Sequence, residues 1–318
     1  MNASGISGWV RYRFGLLGLT LLLTGCAYST PQTGSENLPH FGFVGVDCGW
    51  DDSRDRESRT TYLDEVAPFS NVAQLCPFSL TEDLGPRLTQ FHAVGVKAII
   101  TLEGLLFESL PDPGSPTGER LVLSAEAEAN WRTFAKLNRD WLTPNYVAAL
   151  YIVDEPMWRG ASAADFAQAV AIIEEAVPDV PTMSVEAYAA LDRLVVPDAL
   201  DWLGFDRFGH ADPAHDQLWL DDLETLRAAR TRSDQRLVIV ADTQWYPEYE
   251  SVLGLSSAAM AGVFESYAEV GRRDPDIALL IGYSWPGGLD GPEQRGAREL
   301  PENVQRAFST YGALVRGQ

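Results

Sequence analysis

Tyr146-Val147-Ala148-Ala149-Leu150-Tyr151-Ile152-Val153-Asp154-Glu155-Pro156 runs through eight apolar or aromatic residues and ends in two carboxylates and a proline. An unbroken apolar run of this length reads as a strand covered on both faces, and parallel strands are covered that way. Just beyond it, Ser162 and Asp165 have the spacing of a helix N-terminus, and Phe166, Val170, Ile173 and Val177 recur at helical spacing. A buried strand followed by an amphipathic helix is the repeating unit of a parallel α/β sheet.

The same unit recurs on either side. Strand-like runs are predicted at 41–50, 71–76, 97–103, 146–155, 182–188, 202–208, 237–245 and 278–285, with helical stripes at 218–230, 258–272 and 304–315. Eight such strands in 278 residues suit one closed (β/α)8 barrel, a TIM barrel forming a single domain over 41–318. The stretch 189–201 is too short for a full crossover helix, so the outer helix is expected to be reduced there. Segment 104–122 carries three prolines and three glycines and reads as a long loop after strand three. It is either a wall of the site or a surface insertion.

In such barrels chemistry gathers where the strands end. Those ends hold Asp47 and Trp50, Glu103, Asp154 and Glu155 with Trp158 just beyond, Glu186 and Tyr188, Asp206, Asp242 with Gln244 and Trp245, and Tyr283 with Trp285. One acid at a strand end is ordinarily solvated or caps a helix. The pattern shared by several ends points instead to sugar, which needs carboxylates for proton transfer and flat aromatic rings against pyranose faces. Trp131, Trp141, Trp202 and Trp219, on helices or at a strand start, read as core.

The stretch 151–156 resembles the Asn-Glu-Pro that ends strand four in clan A glycoside hydrolases, with Glu155 on the acid/base and Asp154 replacing the Asn that contacts the sugar. Residues 238–245 resemble the strand-seven motif of endo-β-1,3-glucanases and endo-β-1,4-galactanases in that clan. There Asp242 replaces the nucleophilic Glu. Tyr283-Ser284-Trp285 is similar to the strand-eight tryptophan that floors the cleavage subsite.

The resemblance implies Glu155 and Asp242 as catalytic; the strand-end positions add Asp47, Trp50, Glu103, Asp154, Trp158, Glu186, Tyr188, Asp206, Gln244, Trp245, Tyr283 and Trp285 as expected substrate-binding residues. An Asp is one methylene shorter than a Glu, and retention needs carboxyls about 5–5.5 Å apart against about 6.5–9.5 Å for inversion. Three outcomes stay open: a restored nucleophile, an inverting site, or a site that binds without cutting. Glu103, Glu186 and Asp206 are alternatives for the second carboxylate.

At the N-terminus Arg11 and Arg13 precede the apolar run 14–23, too short to span a bilayer comfortably, and Leu23-Thr24-Gly25-Cys26 follows. These four residues resemble the lipobox of bacterial lipoproteins. That implies a signal peptide at 1–25, a lipid on Cys26, a polar tether at 26–40 and residence in the bacterial cell envelope. Ala27 favours the outer membrane. The alternative is an ordinary cleaved signal peptide.

Loss of residues 1–25, with two Arg and no acid, takes the formal charge from −21 to −23, which disfavours nucleic acid and anionic polymers as partners. Carbohydrate, the membrane through the lipid and a monomeric state are the expectations. Cys48 and Cys76 end adjacent strands and, in an oxidising compartment, are expected to pair, the other reading being two buried thiols. The four histidines, His40, His92, His210 and His215, include no His-x-His pair, and no phosphate loop or dinucleotide fingerprint occurs, so neither metal nor cofactor is expected. Two function classes remain: a glycosidase acting on a β-linked glycan, and a non-catalytic polysaccharide-binding or envelope-associated barrel.

Overall fold

The computed structural model describes residues 39–56 and 58–317; the signal peptide, Cys26 and most of the tether lie outside the described residues. Among the described residues there are ten strands: β1 His40–Phe43, β2 Val72–Leu75, β3 Lys97–Thr101, β4 Phe107–Pro111, β5 Glu119–Leu123, β6 Val147–Asp154, β7 Thr182–Ala187, β8 Trp202–Asp206, β9 Arg236–Asp242 and β10 Ile277–Tyr283. Eight form one parallel sheet in the order β1-β10-β9-β8-β7-β6-β3-β2. The seam between β1 and β2 is bridged by Asn71 N–H to Phe41 O at 3.0 Å and by paired bonds joining Asp47 to Gln74 and Cys76. The result is the expected (β/α)8 barrel.

The helices are α1 Leu63–Val66, α2 Gly85–Ala93, α3 Glu103–Leu106, α4 Ala127–Asn138, α5 Ala163–Ala176, α6 Gln217–Ala228, α7 Pro247–Leu253, α8 Met260–Arg273 and α9 Glu302–Val315. Helix α5 starts as its sequence requires, the Ser162 hydroxyl accepting the Asp165 N–H at 3.0 Å. Where 189–201 was too short for a helix, a 3-10 turn, Tyr188–Arg193, connects β7 to β8.

The unbroken apolar strands are explained by two cores. In β9, Leu237, Ile239 and Ala241 pack outward against the helices, while Val238 and Val240 fill the barrel with Met183, Val185 and Ile281. Gly42 lies where β1 and β2 crowd together: an added Cβ there would sit 1.9 Å from Val72 O.

Three expectations on extent are corrected. The first strand stops at Phe43 rather than running to residue 50, because Gly45 and Gly49 turn the chain at φ 79° and 72°. The third stops at Thr101, and Glu103 opens α3. Segment 104–122 is not a structureless loop: β4 and β5 pair as an antiparallel hairpin, Phe107 opposite Leu123.

Candidate active site

At the C-terminal ends of the strands a cavity of about 530 Å³ opens into the barrel, floored by Met183, Val185, Val240 and Ile281. Its polar wall carries Glu103, Asp154, Glu155, Arg159, Asp206 and Asp290. The location follows from the fold; the inward aim of Asp154 follows from an irregularity in β6. Its pairing with β7 slips between Tyr151 and Val153, so Ile152 and Val153 both pack outward. The bulge changes the parity and brings Tyr151 and Asp154 to the same cavity, where the Tyr151 hydroxyl donates to the Asp154 carboxylate.

Glu155 comes next and is strained. Its φ of 47° is the one positive value at a non-glycine among the described residues, an arrangement that clusters at functional sites. The bend aims its carboxyl at Asp206 on β8, within hydrogen-bonding reach. Two carboxyls in contact do not both ionise readily. Burial, then the charges of Asp154 and Glu186, push Glu155 up to about 7. Burial, then Glu155, Asp154 and Glu186, hold Asp206 well above the usual carboxylate range. The pair therefore keeps a proton near neutral pH.

Asp154 stays open to the cavity, yet the protein around it removes much of its hydration and lifts it to about 6. The Tyr151 hydroxyl opposes that rise, Glu103 and Asp290 add to it, and Arg159 offsets it. Arg159 sits at 2.8 and 2.9 Å from the two Glu103 oxygens and at 3.0 Å from Glu119 on β5. The Arg159 guanidinium thus ties the hairpin to the cavity wall. Opposite, the Tyr283 ring stacks on Phe208 at 5.6 Å and its hydroxyl donates to Asp290 at 2.8 Å.

Of the residues singled out in the sequence, Glu103, Asp154, Glu155, Asp206 and Tyr283 line this cavity; the others do not. Asp242 is 1% exposed, accepting from Gly209 N–H at 2.9 Å and the Tyr249 hydroxyl at 2.8 Å. Burial lifts it to about 6 against those two donors. Gly209 follows Phe208, so the loop that places the Phe208 ring in the cavity is pinned to Asp242. Glu186 is also buried, and its oxygens accept backbone N–H groups of Met157, Trp158 and Ala187.

Asp47 pairs with Arg87 at 2.9 Å. Gln244 is buried against Gln294. Trp245 is buried with its indole N–H on Leu255 O, and Trp285 is buried with its indole N–H on Glu65 and its ring against Phe43. The floor expected of Trp285 is therefore corrected: it belongs to the outer core, and Tyr283 presents the aromatic face instead. Trp50 and Tyr188 are partly exposed outside the cavity lining, the Trp50 indole N–H donating to Gly287 O at 3.0 Å and the Tyr188 ring lying under the Arg207 guanidinium, and Trp158 contributes its N–H to Glu186. Cys48 and Cys76 form a disulfide beside the β1–β2 seam, Cα atoms 4.5 Å apart.

Sequence reasoning missed Tyr151, Arg159, Phe208 and Asp290. Asp290 lies in the glycine-rich segment after strand eight, on the same end of the barrel, and that position was the available clue. Tyr151 was hidden by the β6 bulge.

No protein-family description and no curated protein sequence matches the chain. Solved structures share its fold. A GH113 β-1,4-mannanase superposes with a TM-score of 0.55 at 11% identity, over 86% of this chain and 98% of that one. Xylanase 10B from Thermotoga maritima gives 0.52 at 14% identity, over 89% and 98%. A glucosidase from Croceicoccus marinus gives 0.52 at 13% identity, over 85% and 65%. At such identities the likeness establishes the fold, the (β/α)8 barrel that resemblance to clan A glycoside hydrolases implied.

Proposed function

We propose that this chain is a glycosidase that hydrolyses a β-linked glycan in the barrel cavity, with Glu155 as proton donor and Asp206 as its proton-sharing partner. The observation that carries this reading is the strained Glu155, its carboxyl against Asp206 inside the cavity. The structural neighbours, a mannanase, a xylanase and a glucosidase by their descriptions, support the same class of reaction.

In this mechanism the protonated member of the pair gives its proton to the glycosidic oxygen as the bond from that oxygen to the anomeric carbon breaks. Water adds to the anomeric carbon, and its proton passes to the ionised member, which restores the pair. Contact between the carboxyls is closer than the about 5–5.5 Å of retaining enzymes. A sugar ring entering between them has to part them, and the spacing then reached sets the stereochemical outcome. Floor residues Val185, Val240 and Ile281 exclude bulk water, and the Tyr283 ring offers a face for stacking.

A second reading, a barrel that binds glycans without cutting them, draws on the enclosure of Asp242, which occupies the nucleophile's place in the related motif yet lies outside the cavity lining. Hydrolysis of β-glucans, mannans, xylans, galactans and aryl β-glycosides by the full chain separates the two. Turnover that drops at least about a hundredfold in Glu155→Gln, the usual scale of acid catalysis, establishes the enzyme. Glycan binding with no turnover of any substrate leaves the binding barrel.

A further inference from the structure

Glu186 was singled out by its strand-end position, but the proposed chemistry does not use it. Residues 155–161 form a tight turn: Arg159 N–H donates to Glu155 O at 2.9 Å and Ala161 N–H to Pro156 O at 2.8 Å. Glu155 thus heads the turn, and Pro156, which has no N–H, follows it. The next two N–H groups, of Met157 and Trp158, are the ones an N-cap side chain ordinarily satisfies by folding back. Glu155 does not fold back; its carboxyl faces Asp206.

The two N–H groups go to Glu186 on the neighbouring strand β7, Met157 to one oxygen at 2.7 Å and Trp158 to the other at 3.1 Å. Ala187 N–H adds a third bond at 3.0 Å. Glu186 is 1% exposed, and its hydrogen bonds are all to backbone N–H groups. Three amide dipoles hold this carboxylate, and it in turn holds the turn.

We infer that Glu186 is the positioning residue of the site: it caps the 155–161 turn in place of Glu155's own side chain and so frees the Glu155 carboxyl for Asp206. The inference rests on the reading of Glu155 as proton donor, but the capping itself is testable without turnover. Glutamine at 186 keeps one acceptor oxygen and puts an NH2 group against the other backbone donor, so the cap is broken while size is kept.

The experiment compares the full chain with Glu186→Gln by amide exchange at Met157 and Trp158, by carboxyl NMR titration of Glu155, assigned by its absence in Glu155→Gln, and by kinetics. Expected are exchange at least about tenfold faster at the amide left facing the NH2 group, a lower Glu155 midpoint as a like charge leaves, and kcat down at least tenfold with KM within twofold. A purely structural role would lower the melting temperature, and loss of the like charge would lower the Glu155 midpoint in any case, but kcat and the KM-against-kcat split would stay unchanged.

A folded Glu186→Gln with unchanged exchange at both amides, or with kcat within twofold, overturns the inference. If that variant does not fold, Glu186→Asp, which keeps the charge and withdraws it from both amides, must show the faster exchange and the kcat loss. Faster exchange and a shifted midpoint in a protein that cleaves no glycan would uphold the capping and sink the glycosidase reading.

Discussion

Asp206 and Asp242 differ in what surrounds their carboxyls. Asp206 touches another acid, Glu155, in the cavity wall; Asp242 faces donors, Gly209 N–H and the Tyr249 hydroxyl, behind the loop that carries Phe208. Removing the proton-holding capacity of Asp206 with Asp206→Asn should therefore cost at least about a hundredfold in kcat, because the partner of Glu155 is lost. Asp242→Asn keeps the shape and one acceptor and should act through the loop, raising KM several-fold while kcat stays within about tenfold. If instead Asp242→Asn abolishes turnover and Asp206→Asn is active, the motif alignment is right and the cavity geometry misleads.

The sequence carried Asp206 as a substrate-binding residue and only as an alternative for the second catalytic carboxylate. It pointed to strand ends and to acids on them, and Glu155 and Asp154 followed directly. Which acid faces which depends on a bulge at Ile152 and on the φ of one residue, and neither leaves a mark in composition or period.

Elements were read more securely than residues. Strands buried on both faces stand out as apolar runs, and α5, α6, α8 and α9 have stripes that their packing explains. The β4–β5 hairpin was missed because Phe107–Pro111 is mostly exposed, Glu119–Leu123 is mostly only half-buried, and neither has a clean alternation of apolar and polar residues. Proline and glycine between them dominated the reading.

The hairpin reaches the site through Arg159, whose guanidinium bonds Glu119 on β5 and Glu103 on α3. Arg159→Ala should loosen that wall and leave Glu103 unpaired beside Asp154. The pairs are partly exposed, so the loss should lie between that of surface and buried ion pairs, about 2 kcal/mol in urea unfolding. KM should rise more than kcat falls, since the wall contacts substrate and Glu155 stays in place. An unchanged KM would remove the hairpin from the site.

For the molecule as a whole, the buried acids in and behind the cavity are a reservoir of protons. Glu155 and Glu186 rise to about 7, Asp154 and Asp242 to about 6, and Asp206 rises too, burial being the first cause in every case. Between about pH 4 and 7 the folded chain holds protons on these groups that the unfolded chain has released. Stability then falls as pH rises through that window and levels off above it. His40 opposes the trend with a single proton, since burial first, and Lys97 and Arg236 nearby, keep it neutral.

The formal charge of −21 adds self-repulsion in the same direction as the carboxyls. Glu119, held low by Ser109 and Arg159, and Asp216, held low by His210, contribute stability that is lost only when the pH drops below about 4. The melting temperature should therefore peak near pH 4–5 and decline to pH 7.5. Neutralising the contact pair in Glu155→Gln/Asp206→Asn should raise it at pH 7.5 and change it little at pH 4.5. A melting temperature that climbs from pH 4.5 to 7.5 would mean that the carboxyls are ionised in the folded protein, and with that the proton the reaction needs would be missing from the site.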